Sequence, residues 1–241
     1  GSDVRSSSLC CTKVRTANFQ LIAHCSLLIA PRTSVAMRVI AGEAKGHRLK
    51  APKGMLTRPM ADKIKGAVFS MLASLEIESD RVLDLYAGSG AVGIEFLSRG
   101  ATQLDAVEQR PDAVAVIHEN LAHTKFTAHA QVHKTTVQAF LTRPEIGPYD
   151  TVMMDPPYAD PQIVAMMDLV ASRAPDRGIL PGTALVIGHS PRVTLPVQVR
   201  GFGLVRKRCH GDSCFSIYQE GHITEPEGEP DVSLNEKGGV A

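Results

Sequence analysis

From residue 81 onward the chain alternates short apolar runs with stretches of helical period, and this alternation limits the fold more than any other feature. Strand, helix, strand repeated in this way is the signature of a parallel sheet wrapped by helices. RVLDLY (81–86) reads as a strand, AVGIEFLSRG (91–100) as a helix closed by Gly100, QLDAVE (103–108) as a strand, and PDAVAVIHENLAH (111–123) as a helix opened by Pro111. AQVHKTT (130–136) gives a third strand, VQAFL (137–141) a short helix, YDTVMMD (149–155) a fourth strand, PQIVAMMDLVAS (161–172) a helix and TALVIGHS (183–190) a fifth strand. The last part, VRGFGLVRKRCHGDSCFSIYQE (199–220), reads instead as two strands about a Gly211-Asp212 turn. The expected fold is α/β, with a seven-stranded, mostly parallel sheet finished by an antiparallel hairpin.

A different unit precedes the sheet. MRVIAGEAKGHRLKAPKG (37–54) reads as a small basic hairpin, and RPMADKIKGAVFSMLAS (58–74) as an amphipathic helix whose Ile64, Val68, Phe69, Met71 and Leu72 turn toward the sheet. Between residues 37 and 65 there are eight Lys or Arg against two acids, although the whole chain carries a net charge of only +1. The charge is therefore informative locally and not globally. Residues 1–36 are Ser/Thr-rich and poor in acids, and read as a leader or non-native extension, disordered, with the working protein starting near Met37. Residues 221–241 are acidic and rich in Gly and Pro, the composition of a disordered tail. The expected organisation is thus leader 1–36, basic hairpin 37–59, main domain 60–220 and tail 221–241. The five cysteines show no CxxC pair and no His spacing suited to zinc, so no metal site is expected and a reducing, cytoplasmic setting is.

LDLYAGSGAVGIE (83–95) places Gly88, Gly90 and Gly93 in GxGxxG spacing after a strand and before a helix, as in Rossmann-like nucleotide sites. Such glycines let the chain turn tightly and let a ligand approach the amides at the helix start. By itself the spacing is a weak signal. Asp84 ends the strand four residues before Gly88, and a negative charge there suits the cationic methionine portion of S-adenosylmethionine better than a pyrophosphate. Glu108 ends the next strand, where a carboxylate accepts from both ribose hydroxyls of either kind of nucleoside cofactor.

The fourth strand also ends at the carboxyl edge of the sheet, the side on which open α/β sheets bind ligands. That puts DPPY (155–158) beside the glycine loop although 71 positions separate Asp84 from Asp155. A nucleobase amino group is a poor nucleophile because its lone pair is delocalised into the ring. Two acceptors aimed at its hydrogens, the Asp155 carboxylate and the Pro156 carbonyl, favour a pyramidal nitrogen and stabilise the positive charge that develops as it attacks a methyl sulfonium. Prolines 156 and 157 remove amide donors and stiffen the backbone. Tyr158 is placed to stack on the base, a contact worth about 1 to 3 kcal/mol.

Taken together, these stretches resemble the class I S-adenosylmethionine-dependent methyltransferases that bear a (D/N)PP(Y/F/W) motif, and within them the RsmD family. The resemblance runs from about Met37 to Glu220, and rests on MRVIAGEAKGHRLKAP, TRPMADKIKGAVFSML, LDLYAGSGAVGIEFLSRGA and DPPY. It implies methyl transfer to N2 of a guanine in bacterial small-subunit (16S) ribosomal RNA, with S-adenosyl-L-methionine as donor and a monomer that needs no membrane. It further implies that Asp84, Tyr86, Gly88, Ser89, Gly90 and Gly93 line the methionine and ribose path, that Glu108 holds the ribose, and that Asp155, Pro156 and Tyr158 hold the guanine. Many relatives carry an acid after the third strand for the adenine; here Thr136 stands at that place, followed by Val137, and a backbone amide is expected to take over. Met60 stands where the family often has Thr.

Arg38, Lys45, Arg48, Lys50, Lys53, Arg58, Lys63 and Lys65 are the expected phosphate contacts of a folded RNA whose target base is splayed into the pocket. Two other readings accompany this one. DPPY also serves adenine N6 and cytosine N4 in DNA or other RNA, and a non-catalytic RNA-binding assembly factor would keep the same fold.

Overall fold

A computed structural model describes residues 37–52, 62–157, 161–173 and 179–222. Helix α1 (Asp62–Ser74) is followed by the repeating unit β1 (Arg81–Leu85), α2 (Ala91–Ser98), β2 (Gln103–Glu108), α3 (Pro111–Thr124), β3 (Ala130–Lys134), α4 (Val137–Leu141), β4 (Tyr149–Met154), α5 (Ile163–Ala171) and β5 (Ile179–His189). Three strands close the chain: β6 (Gln198–Val199), β7 (Phe202–His210) and β8 (Ser213–Glu220). The sheet order is β3-β2-β1-β4-β5-β8-β7-β6, parallel as far as β5 and antiparallel beyond it. The eighth strand, unforeseen in the sequence, is the two-residue β6, which pairs only with β7 at the sheet edge.

Local chemistry sets the boundaries. Pro111 opens α3 at its first turn, where no amide hydrogen bond is lost, and Lys125 closes it in the left-handed region at φ 66. The Thr136 hydroxyl accepts from Ala139 N at 3.2 Å and caps α4. β5 begins earlier than its sequence suggests, because Pro181-Gly182 punctuates like a turn. The strand absorbs the pair through a register shift against β4, whose Tyr149 faces Ile179 while Thr151 faces Ala184.

The buried strands alternate between two cores. Val82, Leu104, Met153 and Val186 pack beneath α1, α2 and α3, while Leu83, Leu85, Met154 and Leu185 pack beneath α4 and α5. Burial on both faces is why these strands read as continuous apolar runs. On α1, Val68, Phe69, Met71 and Leu72 are buried and Ile64 is packed against the same core.

The basic segment 37–52 turns back on itself as a short hairpin: Arg38 and Arg48 form an antiparallel bridge, Leu49 N donates to Met37 O at 2.8 Å and Val39 N donates to His47 O at 3.0 Å. Polar side chains of α2 and α3 fasten it to the main domain. Glu95 accepts from Ile40 N at 2.8 Å and Ala41 N at 3.0 Å, Ser98 Oγ accepts from Ala44 N at 2.9 Å, and Asn120 Oδ1 accepts from Lys50 N at 2.8 Å. Gly42, at φ +80, lies so close to the Ser98 carbonyl that any side chain there would overlap it. At the other end β8 stops at Glu220 and Gly221 N donates to Gly201 O at 2.8 Å; residues 1–36 and 223–241 lie outside the described residues. Cys209 and Cys214, register partners across β7 and β8, form a disulfide. Cysteine spacing had given no hint of this pairing, since only the hairpin register makes neighbours of the two.

Candidate active site

The connections from β1 and β4 leave toward opposite ends of the sheet, so a crevice opens between the carboxyl ends of these adjacent strands. Register pairs Asp84 with Met153 and Leu85 with Met154, which brings Asp155 level with the start of the glycine loop. The two motifs meet in one cavity of about 400 Å3, walled by Asp84, Gly88, Ser89, Glu108, Asp155 and Pro156 among others.

The loop after β1 is wound by left-handed residues: Tyr86 at φ 64, Gly88 at φ 58 and Gly90 at φ 75. A tyrosine in that region is uncommon, and such backbone positions cluster at ligand-binding loops. Gly88 N donates to Glu108 Oε2 at 2.9 Å and Arg110 N donates to Oε1 at 2.8 Å. Each Glu108 oxygen therefore keeps one further lone pair for a ligand hydroxyl. Tyr86, Gly88 and Ser89 reach the cavity wall, whereas Gly90 and Gly93, expected along the ligand path, stand behind it. A Cβ on Gly90 would come within 3.2 Å of Ile117 Cγ2, and one on Gly93 within 2.6 Å of Leu104 Cδ2. Their lack of side chains lets α2 close onto α3 and β2.

Asp84 is 3% exposed, and Oδ2 accepts from Gly93 N at 3.1 Å. Burial pushes its carboxyl up to about 7; the Gly93 amide opposes the rise, and the charges of Asp155 and Glu108 add to it. Asp155 is half-buried, and burial lifts it to about 6. Its side chain lies against Gly188 of β5, where a Cβ would overlap Asp155 Oδ1 and meet Phe215 Cε1 at 2.9 Å. A glycine inside a strand often marks such a close approach, and it is the signal by which TALVIGHS would have revealed this site residue.

Other expectations fall out as follows. Thr136 and Val137 line the cavity, with the Thr136 hydroxyl already capping α4. Pro156 is buried and Pro157 exposed. Tyr158, Lys53, Arg58 and Met60 lie outside the described residues. Arg38, Lys45, Arg48, Lys50 and Lys63 are exposed, and Lys50 Nζ pairs with Glu119 Oε2 at 2.7 Å. Lys65 is not a phosphate contact: it is 0% exposed, with Nζ donating to Arg38 O at 2.6 Å and to Glu95 Oε2 at 3.2 Å. A lysine this deep persists because its charge is matched by a buried carboxylate and a carbonyl. Sequence reading also passed over Asn120, which is 1% exposed and donates to Ser89 O at 2.9 Å and Lys50 O at 3.0 Å, and Met37, whose sulfur accepts from Ser89 Oγ at 3.4 Å.

The sheet order, the acid-and-glycine loop after β1, the acid ending β2 and Asp-Pro-Pro ending β4 together define a class I methyltransferase. The family model described as "Conserved hypothetical protein 95" matches residues 37–219, and the chain belongs to that family, the RsmD family of methyltransferases. "Putative rRNA methyltransferase YlbH" of Bacillus subtilis (strain 168) is 34% identical over 188 residues, 76% of this chain and 99% of the relative. "Ribosomal RNA small subunit methyltransferase D" of Escherichia coli (strain K12) is 29% identical over 197 residues, 81% of this chain and 94% of the relative. The solved structure of "Putative methyltransferase yhhF from Escherichia coli" superposes with a TM-score of 0.64 at 27% identity, covering 77% of this chain and 98% of the other.

Proposed function

We propose that the protein transfers a methyl group from S-adenosyl-L-methionine to the exocyclic N2 of a guanine in small-subunit ribosomal RNA, acting as a cytoplasmic monomer on an assembling subunit. The observation that carries this reading is the Asp155 carboxylate, set against Gly188 and opening into the cavity that Asp84 and Glu108 share. Three carboxylates around one pocket, against Arg110 as the one cation among the described lining residues, suit a cationic ligand and not a pyrophosphate. Arg110 is itself paired with Asp112, Nη2 to Oδ2 at 2.6 Å.

S-adenosylmethionine, when bound, supplies an activated methyl on a positively charged sulfur. Asp84 would offset the charge of the methionine portion, and the remaining lone pairs of Glu108 would take the ribose hydroxyls. Asp155 and the Pro156 carbonyl would accept from the guanine amino group, holding its lone pair toward the methyl and stabilising the positive charge that builds on nitrogen. Alignment of the two partners contributes on the order of 7 to 11 kcal/mol in such reactions. The family relatives named for small-subunit ribosomal RNA support the choice of substrate. The test is to incubate the protein and tritiated S-adenosylmethionine with naked small-subunit RNA, partly assembled subunits and duplex DNA, and to identify the labelled nucleoside. N2-methylguanine from RNA is expected; N6-methyladenine or N4-methylcytosine would overturn the substrate, and no label in any nucleic acid would overturn the activity.

A further inference from the structure

We propose that the β7–β8 hairpin is a second RNA-gripping surface, lying across the mouth of the pocket from the basic segment 37–50. The inference rests on the RNA methyltransferase reading above and extends it to a part of the chain that this reading leaves unused. Residues Arg206, Lys207, Arg208, Cys209 and His210 are all exposed, although they continue a strand that begins buried at Phe202. The acids of the hairpin are Asp212 at its turn and Glu220 at the far end of β8.

Register shows where these charges stand. β8 runs antiparallel to β5 and starts opposite its end, pairing Cys214 with His189 and Phe215 with Gly188. The tip of the hairpin therefore sits at the carboxyl edge of the sheet, the same edge at which the cavity opens. Arg208 pairs with Phe215 in the next ladder, so Arg208, Phe215 and Gly188 form one row across three strands. Partners in such a row project to one face, and on that face the place of the missing Gly188 Cβ touches Asp155. With strands about 4.8 Å apart, Arg208 stands roughly 10 Å from the strand that braces the proposed catalytic carboxylate. A neighbouring nucleotide's phosphate falls within such a distance of a base inserted in the pocket.

Helix α1 joins this arm to the segment 37–50 without a break. Arg208 lines a small cleft with Ile64, Val68 and Met71, and Arg206 Nη1 donates to Ser74 Oγ at 2.7 Å. On its other side α1 sends Lys65 to the Arg38 carbonyl. Lys63, on the same helix, is exposed. Eight register pairs between β7 and β8 tie the arm to the sheet up to His210 and Ser213 at its tip.

The test uses Arg206→Glu/Arg208→Glu, whose side chains share the α1 face, its neutral counterpart Arg206→Gln/Arg208→Gln, and Lys125→Glu as a control beyond α3, at the opposite edge of the sheet. Binding to purified small-subunit ribosomal RNA is measured over a series of salt concentrations, together with S-adenosylmethionine affinity and thermal melting. The neutral double variant should lower the slope of log K against log salt by about two, one per lost phosphate contact. The reversed variant should bind more weakly still, while donor affinity, melting temperature and the Lys125→Glu control stay at wild-type values. An unchanged slope in both double variants, or an equal loss in Lys125→Glu, overturns the proposal. Wild-type protein that binds and methylates DNA but not RNA would instead sink the reading beneath it, which separates the two failures.

Discussion

Asp84 and Asp155 end adjacent parallel strands, and both are lifted by burial, yet the structure treats them differently. Asp84 is 3% exposed, takes a hydrogen bond from Gly93 N and shares its space with two other carboxylates. Asp155 is half-buried, wedged against a glycine notch, with burial as the cause of its shift. The first is enclosed as if for a guest that brings its own positive charge. On the proposed reading, the second meets a neutral amino group that becomes charged only during reaction. The proposed function thus divides binding from chemistry between two similar carboxyls by the company they keep.

The sharpest way to break this contrast is Asp155→Ala, which should lower kcat on the order of 10³-fold in the methyl-transfer assay. Calorimetric affinity for S-adenosylmethionine should stay close to wild type, and a large loss of donor binding would erase the division of labour. Gly188→Ala should come next: the added methyl pushes Asp155 aside, and a displacement of about 1 Å costs about 10²-fold in kcat. Here too donor affinity should hold, since Gly188 does not line the donor's side of the cavity.

Asp84→Asn should have the smaller effect, on donor affinity and not on kcat. It keeps an acceptor for Gly93 N but loses the charge, weakening binding by about ten- to a hundredfold, the usual worth of a charged contact. Its signature is pH. A cationic guest favours ionised Asp84, so wild-type affinity should fall as pH drops below about 7, with proton release on binding seen in buffers of different ionisation heat. In the ligand-free fold the sign is opposite. A folded-state value raised to about 7 stabilises the protein below the ordinary carboxylate range and withdraws that stability as pH rises through about 7. Asp155, raised to about 6, acts in the same sense. Melting curves should therefore decline between pH about 4 and about 7, and Asp84→Asn should flatten much of the decline.

The parts of this molecule that were legible in the sequence are those whose signal is local. Strands buried on both faces announce themselves as apolar runs, and the glycine loop and Asp-Pro-Pro carry their meaning within a few residues. What escaped depends on partners far along the chain. Lys65 looks like a surface cation until Glu95, on α2, turns it inward. Segment 37–52 carries the alternation of a hairpin and pairs its two arms, but its seating against the sheet comes from Glu95, Ser98 and Asn120, far along the chain. Asn120 did leave a trace, falling on the buried stripe of α3 between Ile117 and Leu121, where a polar residue calls for a partner. Gly188 left another as a glycine within a strand. The Cys209–Cys214 pair left none that spacing alone could reveal.

The side-chain amide of Asn120 makes one machine part of what look like two loops. It grips Lys50 by both its amide and its carbonyl, and with the same nitrogen it holds the carbonyl of Ser89. No register change in the basic segment leaves the donor loop where it was. Grafting a foreign segment in its place would therefore succeed only if the graft presented a peptide group to Asn120 at the same spot. Length changes between Met37 and Lys50 should be tolerated at the outer turn and nowhere near that clasp.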